Sequence, residues 1–406
     1  MTESSLFTMA LGLQSPWFVK NIELKEGLNS EKELHLTISH EPRVKFEVEG
    51  ENCSVYDHVD RTWKHLNFFQ HVCYLHAKVP RVKTSNGNVL TVDLPWAQSG
   101  SSFTLLFEAL VVVLAKSGMS MLAIGNYLNI SDKSAFNIVS NLVNHSLATQ
   151  PLEDCAMLSI DETSCKKGHD YLTVLSDIDE QKVVGIGFGK DVSAANMALG
   201  ELTFRDANPK AAKAICMDMS PSFVSFAKTS LPQADIVFDK FHIHALLNKA
   251  VDEVRKKEHK EKEGLKNTKF LWLKNFNNLN STAQEKVSYL KLCFPKLGEA
   301  HRLKELFKEV WNEKKPVQVA KHMAAWIEMA VDSNIAPMIE FVKMLERHMK
   351  GIEAYFKHIV TNGLAESLNA RIQEIKRTAK GYRNKYNFKT MIYFHLGGLD
   401  LNLPTK

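Results

Sequence analysis

The sequence contains few cysteines, and none of them is paired at the spacing of a metal knuckle or a redox motif. The chain has 406 residues and six cysteines with no Cys-x-x-Cys pair among them: Cys53, Cys73, Cys155, Cys165, Cys216 and Cys293. In a chain of this length, isolated cysteines indicate reduced thiols in a cytosolic protein and argue against a disulfide framework.

Long apolar runs are also missing. The most apolar stretch, LLFEALVVVLA, contains a glutamate and is too short to span a bilayer. The first twenty residues hold a short apolar run without a cationic leader, so we do not expect a signal peptide. The expected location is therefore the cytoplasm.

The charge balance is nearly even. The formal net charge is +5 and the pI is about 8.7, with 45% hydrophobic and 24% charged residues. This composition is ordinary for a globular protein of two or three domains. The slight excess of basic residues permits a nucleic-acid partner but does not by itself imply one.

The first 150 residues change from strand to helix periodicity. Residues 17 to about 100 alternate in segments such as ELHLTISH and RVKFEVEG, and SNGN at 85–88 predicts a hairpin turn. From Ser102 the pattern is helical: SFTLLFEALVVVLAKSG is followed by a helix, a short turn and a second helix capped by Ser131 or Asp132. A unit of three helices with a tight turn fits a helix-turn-helix DNA reader, although any small helical bundle shares the pattern.

The next hundred residues have a mixed pattern. MLSIDET, YLTVLSDI and KVVGIGFGK predict three consecutive strands, and AKAICMDM and ADIVFDKF predict two more that alternate with helices. Three antiparallel strands followed by helix-linked parallel strands are typical of a ribonuclease-H-like sheet. Almost everything from Lys256 to Ile359 is helical, and a last helix is predicted after the Asn362-Gly363 turn, ending at Gly381.

Three acidic residues lie where such a sheet exposes side chains. Asp161 is placed at the end of the first strand, Asp218 at the end of AICMDM, and Glu366 in the first turn of the last helix. Each acid taken alone is better explained as a strand end or a helix cap, but the three together, in this order, favour a metal site. Phosphodiester cleavage needs an activated nucleophile and a neutralised leaving oxygen, and two divalent ions about 4 Å apart, held by carboxylates, provide both. Glu162 faces the opposite side by strand alternation and is interpreted as a turn or supporting residue.

These segments resemble the DDE transposases of the ISL3 family of bacterial insertion sequences. The quoted matches are LSIDETSCKKGHDYLTVLSD, MDMSPSF, FDKFHI and TNGLAESLNARIQEIKRTAKGYRN, with weaker ones in DHVDRTWKHLNFFQHVCYLHAKVPRVK and SFTLLFEALVVVLA. The resemblance implies that Asp161, Asp218 and Glu366 bind two Mg²⁺ or Mn²⁺ ions. It also implies that Asp239, His242 and Asn369 support those ligands from a second layer.

The chain departs from the family in its N-terminal module, which usually carries a zinc ribbon. Phe46 and Glu49 stand where the first cysteine pair is expected, and Thr84 stands where a later cysteine is expected. Cys53, His58 and Cys73 are nearby but lack the spacing of four tetrahedral ligands. We therefore predict no structural zinc.

A basic cluster follows the third acid and is interpreted as a phosphate-binding surface. Its DNA-binding candidates are Arg371, Lys376, Arg377, Lys380 and Arg383, while Lys385, Lys389, Asn369 and Tyr382 extend the same segment. Complementing the helix dipole is an alternative explanation for Lys380. Trp272 is a candidate for stacking on an unpaired base, although aromatic residues at helical spacing more often belong to a core. Lys166 and His169, in the turn after the first strand, are interpreted as solvated residues or weak phosphate contacts.

The sequence thus predicts an α/β protein with a ribonuclease-H-like catalytic domain interrupted by an α-helical insertion. Its expected parts are a β-rich module (1–100, a degenerate zinc ribbon), a helix-turn-helix unit (101–150), the first part of the catalytic domain (151–257), the insertion (258–360) and the last part with the third acid (361–406). The predicted function is DNA transposition, by cleavage and strand transfer at terminal inverted repeats, with a dimer or higher multimer on double-stranded DNA. The alternatives are a transposase-derived DNA-binding protein without catalysis and a structure-selective nuclease of the same fold.

Overall fold

The structure is a computed structural model that describes residues 2–27, 32–166, 170–313, 316–358 and 363–401. The chain divides into two compact units: Met1–Val143 with Asp400–Lys406, and Asn144–Leu399. Within the described ranges, no helix is both long and apolar enough to cross a membrane.

The first unit contains a six-stranded sheet with the order β1-β2-β5-β4-β3, in which β6 pairs with β5. Trp17, Leu36, Trp63 and Leu75 form the centre of its hydrophobic core. The predicted SNGN turn is confirmed: Gly87 has a φ of +86°, and the Thr84 amide donates to the Asn88 carbonyl at 2.9 Å. The elements are α1 (Glu3–Ala10), β1 (Trp17–Glu26), β2 (Lys32–His40), β3 (Lys45–Val48), β4 (Glu51–Phe68), β5 (His71–Lys83) and β6 (Val89–Thr91).

Strand β4 is 18 residues long and did not stand out in the sequence. Most of its side chains are exposed or half-buried, so the apolar alternation that reveals a strand is weak over most of its length. The strand is defined instead by its pairing with β5, because the two strands are antiparallel partners from Val55–Val82 to Phe68–His71.

Three helices follow, and the last of them runs past the unit boundary at Val143: α2 (Leu105–Lys116), α3 (Met121–Leu128) and α4 (Asp132–Thr149). The predicted short turn is confirmed, with Asn129 in the left-handed conformation at φ 51°. Ser131 is the N-cap of α4, because its Oγ accepts the Ser134 amide at 2.9 Å. Gly125 is required for the tight turn, since a Cβ there would lie 2.8 Å from the Ile130 carbonyl oxygen.

Lys64 of β4 joins this turn to the sheet through hydrogen bonds. Its Nζ donates to the carbonyl oxygens of Leu128 and Asn129, each at 2.8 Å, so an ammonium group caps the C-terminus of α3. The backbone of Lys64 also exchanges hydrogen bonds with Ser102 and Thr104 at the start of the helical segment. The β-rich module and the helices are therefore parts of one compact unit.

The second unit contains a five-stranded sheet with the order β11-β10-β7-β8-β9. Strands β7, β8 and β9 are antiparallel, whereas β10 is parallel to both β7 and β11. Helix α5 packs tightly on β9, because a Cβ at Gly185 or Gly187 would lie 2.1 or 1.8 Å from a backbone oxygen of α5. The elements are β7 (Met157–Ser164), β8 (Tyr171–Asp177), β9 (Lys182–Phe188), α5 (Val192–Phe204), β10 (Ala214–Met217), α6 (Pro221–Ser230), β11 (Asp235–Phe238) and α7 (Lys240–Glu261).

The helices between Lys269 and His358 share one hydrophobic core with this sheet. Buried residues run continuously from Ile215 and Phe226 beside the sheet to Phe307 and Trp326 among the helices. The prediction that the last helix ends at Gly381 was slightly wrong, because Lys380 and Gly381 both have positive φ and terminate it earlier. The final helix, α14, was not predicted at all. The elements are α8 (Lys269–Leu273), α9 (Ser281–Cys293), α10 (Pro295–Asn312), α11 (Pro316–Asp332), α12 (Ala336–His358), α13 (Gly363–Thr378) and α14 (Lys385–Leu396).

Candidate active site and nucleic-acid interface

Asp161 lies in the middle of β7, so its predicted position at the strand end was wrong. Strand β8 continues to pair with β7 as far as Ser164, but β10 pairs with it only up to Cys216 opposite Ser159. On the side of β10, β7 therefore has no paired strand from Ile160 onward among the described residues. Continuing the parallel register by two residues places Asp218 opposite Asp161, so both carboxylates lie where the parallel part of the sheet ends.

The two carboxylates influence each other electrostatically. Burial raises the pKa of Asp161 to about 6, and repulsion from Asp218 adds to this rise. The Glu162 amide, which donates to Asp161 Oδ1 at 2.7 Å, and nearby His242 act in the opposite direction on the same pKa. Asp218 Oδ1 accepts the Ser220 amide at 2.9 Å. A cation between the two acids would relieve their repulsion.

Asp239 and His242 lie at the start of α7, beside the end of β11. Asp239 has no solvent exposure; its side chain accepts the Phe241 amide at 3.2 Å, and its own amide donates to the Met217 carbonyl. His242 is exposed, with Nε2 3.8 Å from Asp239 Oδ2. A buried acid and an accessible imidazole therefore adjoin the Asp161–Asp218 pair.

Helix α13 packs along β7 through side chains of one face. Asn369 Nδ2 donates to Asp161 Oδ2 at 2.6 Å, and Gln373 Nε2 donates to Thr163 Oγ1 at 2.7 Å. Lys376 Nζ donates to the Ser164 carbonyl at 2.9 Å. The structure thus brings Asn369 and Asp161 together, as the resemblance implied.

Glu366 is exposed in the first turn of α13. It lies three residues before Asn369, on the helix face that meets β7. Among the residues that the structure describes, no three His, Cys, Asp or Glu side chains are close enough together to hold a metal ion. Asp161 and Asp218 are neighbours, and Glu366 does not complete a three-ligand group with them in the described part of the chain.

Lys376, a predicted DNA contact, is half-buried and bonds to β7. Its Nζ is held by the Ser164 carbonyl at 2.9 Å and by the Ser164 Oγ at 3.4 Å. The sequence could not reveal this, because a lysine one turn from a helix end looks like any solvated cation. Three further DNA candidates, Arg371, Lys380 and Arg383, are exposed.

Arg377, the remaining candidate of the basic cluster, directs its side chain to solvent. The side chain is 80% exposed and approaches Glu374 at 3.5 Å. It is therefore accessible to a phosphate group. Its ion pair with Glu374 is exposed and contributes little to stability.

Trp272 is buried, so its assignment as a base-stacking residue was wrong. The indole has no solvent exposure, Nε1 donates to Thr268 Oγ1 at 3.3 Å, and the ring packs edge-on against His301 at 5.5 Å. The exposed aromatic residue of α8 is Phe270, at 69% exposure. In a five-residue helix the periodicity is too short to predict which of two aromatic residues faces the core.

The turn after β7 contacts the segment that follows α13. Lys166 is exposed, as expected of a solvated turn residue, and its Nζ also donates to the Arg383 carbonyl at 2.9 Å. Tyr382 stacks on Phe388 of α14 at 4.8 Å, and burial raises its pKa to about 12. His169 and Asn362 lie outside the described residues.

The cysteines of the N-terminal module lie inside its sheet. Cys53 and Cys73 are both buried, on β4 and β5. Burial raises the pKa of Cys73 to about 12. The absence of a structural zinc stays a prediction.

Helix α4 presents polar side chains that the sequence reasoning did not single out. Lys133, Asn137 and Asn141 are exposed and lie four residues apart, so they share one face of the helix. Asparagine amides can both donate to and accept from base edges in the major groove. The spacing of these polar residues on the second helix of a helix-turn-helix unit was the signal that could have identified them.

Comparisons with known proteins identify the family of this chain. A family model for DDE transposases of the ISL3 type, described as "Transposase", matches residues 158–392, which is more than half of the chain. A second model, the helix-turn-helix domain of transposase family ISL3, matches residues 92–143. The chain therefore belongs to the ISL3 family of transposases.

Individual relatives show the same likeness. The transposase for insertion sequence element IS1001 of Bordetella parapertussis is 29% identical over 242 residues, which cover 57% of this chain and 58% of that protein. The match thus spans little more than half the length of the Bordetella relative. The transposase for insertion sequence element IS1557 of Mycobacterium tuberculosis (strain ATCC 25618 / H37Rv) is 24% identical over 375 residues, which cover 85% of this chain and 83% of that protein.

Proposed function

We propose that this transposase cleaves DNA at the ends of an insertion sequence and joins the freed 3′-hydroxyl groups to target DNA. The observation that carries the proposal is the hydrogen bond from Asn369 to Asp161. It fixes α13, the helix that bears Glu366, against the strand that bears the Asp161–Asp218 pair. This contact supports the proposal that three acids distant in sequence form one site.

The fold supports the proposal. A sheet of three antiparallel strands, extended by two parallel strands that follow helices, has the order of a ribonuclease-H-like domain. The segment α8 to α12 lies between the second and third acid in the chain, and we propose that it is the helical insertion of this domain. Its shared core with the sheet is consistent with an insertion that supports the site.

Asp161, Asp218 and Glu366 are the proposed ligands of two Mg²⁺ or Mn²⁺ ions. Their donors are all carboxylate oxygens, which suit these hard cations. When bound, such ions activate the attacking oxygen and neutralise the leaving oxygen in phosphodiester cleavage and transfer. Asn369 holds one Asp161 oxygen in place, and Asp239 orients the accessible His242 beside the same carboxylates.

DNA binding is divided between the two units in this proposal. Lys133, Asn137 and Asn141 of α4 read base edges, as the second helix of a helix-turn-helix unit does. Arg371, Arg377, Lys380 and Arg383 neutralise phosphates near the acids. The partner is double-stranded DNA, comprising the terminal inverted repeats and the target, and two copies of the chain are proposed to hold the two ends.

The test is a cleavage assay on DNA that carries the flanking inverted repeats, with Mg²⁺. Asp161→Asn removes one proposed ligand and should reduce cleavage by about a hundredfold to a thousandfold, the order of one well-placed electrostatic group. Glu162→Gln is the matched control, because its side chain is adjacent in sequence but exposed. Equal cleavage by the Asp161→Asn variant and the wild type would show that the proposed site is wrong.

A further inference from the structure

The three hydrogen bonds between α13 and β7 form a ladder with matching spacing. Asn369, Gln373 and Lys376 bond Asp161, Thr163 and Ser164, in the same order along both elements. Four helical residues rise about 6 Å and seven about 10.5 Å. Two strand residues span about 6.6 Å and three about 10 Å. Helix and strand therefore stay in register over all three contacts.

We infer that Gln373 and Lys376 are positioning residues. They set the position of Glu366 along the axis of α13 relative to Asp161 and Asp218. This inference deepens the proposed function and rests on it. Glu366 projects from the first turn of α13 and is exposed, so its own contacts do not fix it. The register of the ladder fixes the axial position of the helix and hence the position of Glu366.

Gln373 and Lys376 direct polar groups of their side chains to β7. Gln373 is uncharged and donates to a side chain of β7, at Thr163 Oγ1 and, more weakly, to the Ser164 carbonyl at 3.4 Å. Lys376 donates to a strand carbonyl, and such a bond holds the ammonium group against the sheet. Lys376 is half-buried, whereas its neighbour Arg377 is 80% exposed at the side chain.

This pair of adjacent cations supplies a matched experiment. Lys376→Met and Arg377→Met each remove one positive charge at neighbouring positions of the same helix, but only the first breaks the ladder. Gln373→Leu removes a second hydrogen bond between α13 and β7 without changing the charge. Mn²⁺ binding to the full chain is measured by electron paramagnetic resonance without DNA, and affinity for an inverted-repeat duplex is measured separately.

We expect Lys376→Met and Gln373→Leu each to weaken Mn²⁺ binding by about 10-fold to 100-fold, as loss of a residue that orients ligands does. Their DNA affinity and its salt dependence should match the wild type. Arg377→Met should bind Mn²⁺ like the wild type but bind DNA less tightly, with a salt slope smaller by about 1. Thermal unfolding checks that each variant is folded; if Lys376→Met is not, Gln373→Leu decides.

Two results would overturn the inference. One is equal Mn²⁺ affinity in Lys376→Met, Gln373→Leu and the wild type. The other is a loss of DNA affinity in Lys376→Met equal to that of Arg377→Met. A wild-type protein that binds Mn²⁺ but cleaves no inverted-repeat DNA would contradict the proposed function and leave the Mn²⁺ comparison valid, so the two failures are distinguishable. A wild type that binds no Mn²⁺ at all would contradict both.

Discussion

Truncation of Trp272 tests whether this ring supports the core or contacts DNA. A tryptophan ring buries about 150–250 Å² of surface, which at about 25 cal/mol per Å² corresponds to about 4–6 kcal/mol. Large-to-small substitutions of buried aromatic residues cost about 3–5 kcal/mol in practice. Trp272 has no solvent exposure and also donates a hydrogen bond to Thr268, so Trp272→Ala should lose about 3–5 kcal/mol of the free energy of unfolding.

The matched control is Phe270→Ala in the same short helix. Phe270 is 69% exposed, so its truncation should change the free energy of unfolding by no more than about 0.5 kcal/mol. The assay is urea unfolding of the full chain followed by circular dichroism, in which the transition of the second unit is compared between variants. Trp272→Phe, which keeps an aromatic ring in the site, should lose less than Trp272→Ala.

The reasoning would be refuted by a Trp272→Ala variant that unfolds at the same urea concentration as the wild type. It would also be refuted if that variant, while fully folded, bound inverted-repeat DNA more weakly than Trp272→Phe. Either result would mean that the indole is accessible to DNA and not part of the core.

Three further predictions concern stability. Lys64→Met removes the ammonium group that caps α3 and should cost about 1.5–3 kcal/mol in the unfolding of the first unit, with weaker DNA binding, whereas unchanged values of both would contradict the cap. Gly125→Ala should cost about 1–3 kcal/mol in the same assay, because the new methyl group meets the Ile130 carbonyl. Burial, reinforced by nearby lysines, lowers the pKa of His301 from 6.5 to about 3, so the unfolded state binds the extra proton. The stability from neutral His301 is complete above pH 6.5 and falls by about 1.4 kcal/mol per unit as the pH drops toward 3. His301→Leu should flatten the measured decline of the unfolding free energy between pH 6.5 and 5, and an unchanged slope would place the ring in solvent.

Much of the fold could be predicted because its strands are apolar and its turns have distinctive residues. β8 and β9 are almost wholly buried and read as continuous apolar runs. Ser131 and the SNGN turn are identified by residue types that few other local conformations favour. These features depend on residues that are close together in the sequence, so they could be predicted from the sequence alone.

The missed elements depend on contacts that are distant in sequence. Helix α14 begins in the basic segment GYRNKYNFK, which resembles a phosphate-binding tail. Its Lys389 is nevertheless paired with Glu201 of α5, and Tyr393 donates its hydroxyl hydrogen to the same glutamate. Only the fold brings Glu201 to these side chains, so the helix could not be predicted from charge pattern.

The members of the candidate site were inferred from the sequence and stay a proposal, whereas its local geometry was not predicted. The order of Asp161, Asp218 and Glu366 along the chain suggested a common site. The early end of the β10–β7 pairing and the role of Lys376 against Ser164 became visible only in the structure. Such features depend on the lengths of paired strands and on side chains of a distant helix.

The most direct measurement of the central claim is a crystal structure of the protein with inverted-repeat DNA and Mn²⁺, examined by anomalous scattering. The account predicts manganese peaks coordinated by Asp161, Asp218 and Glu366, with Asn369 still bonded to Asp161. Manganese bound elsewhere, or coordinated without Asp161, would contradict it.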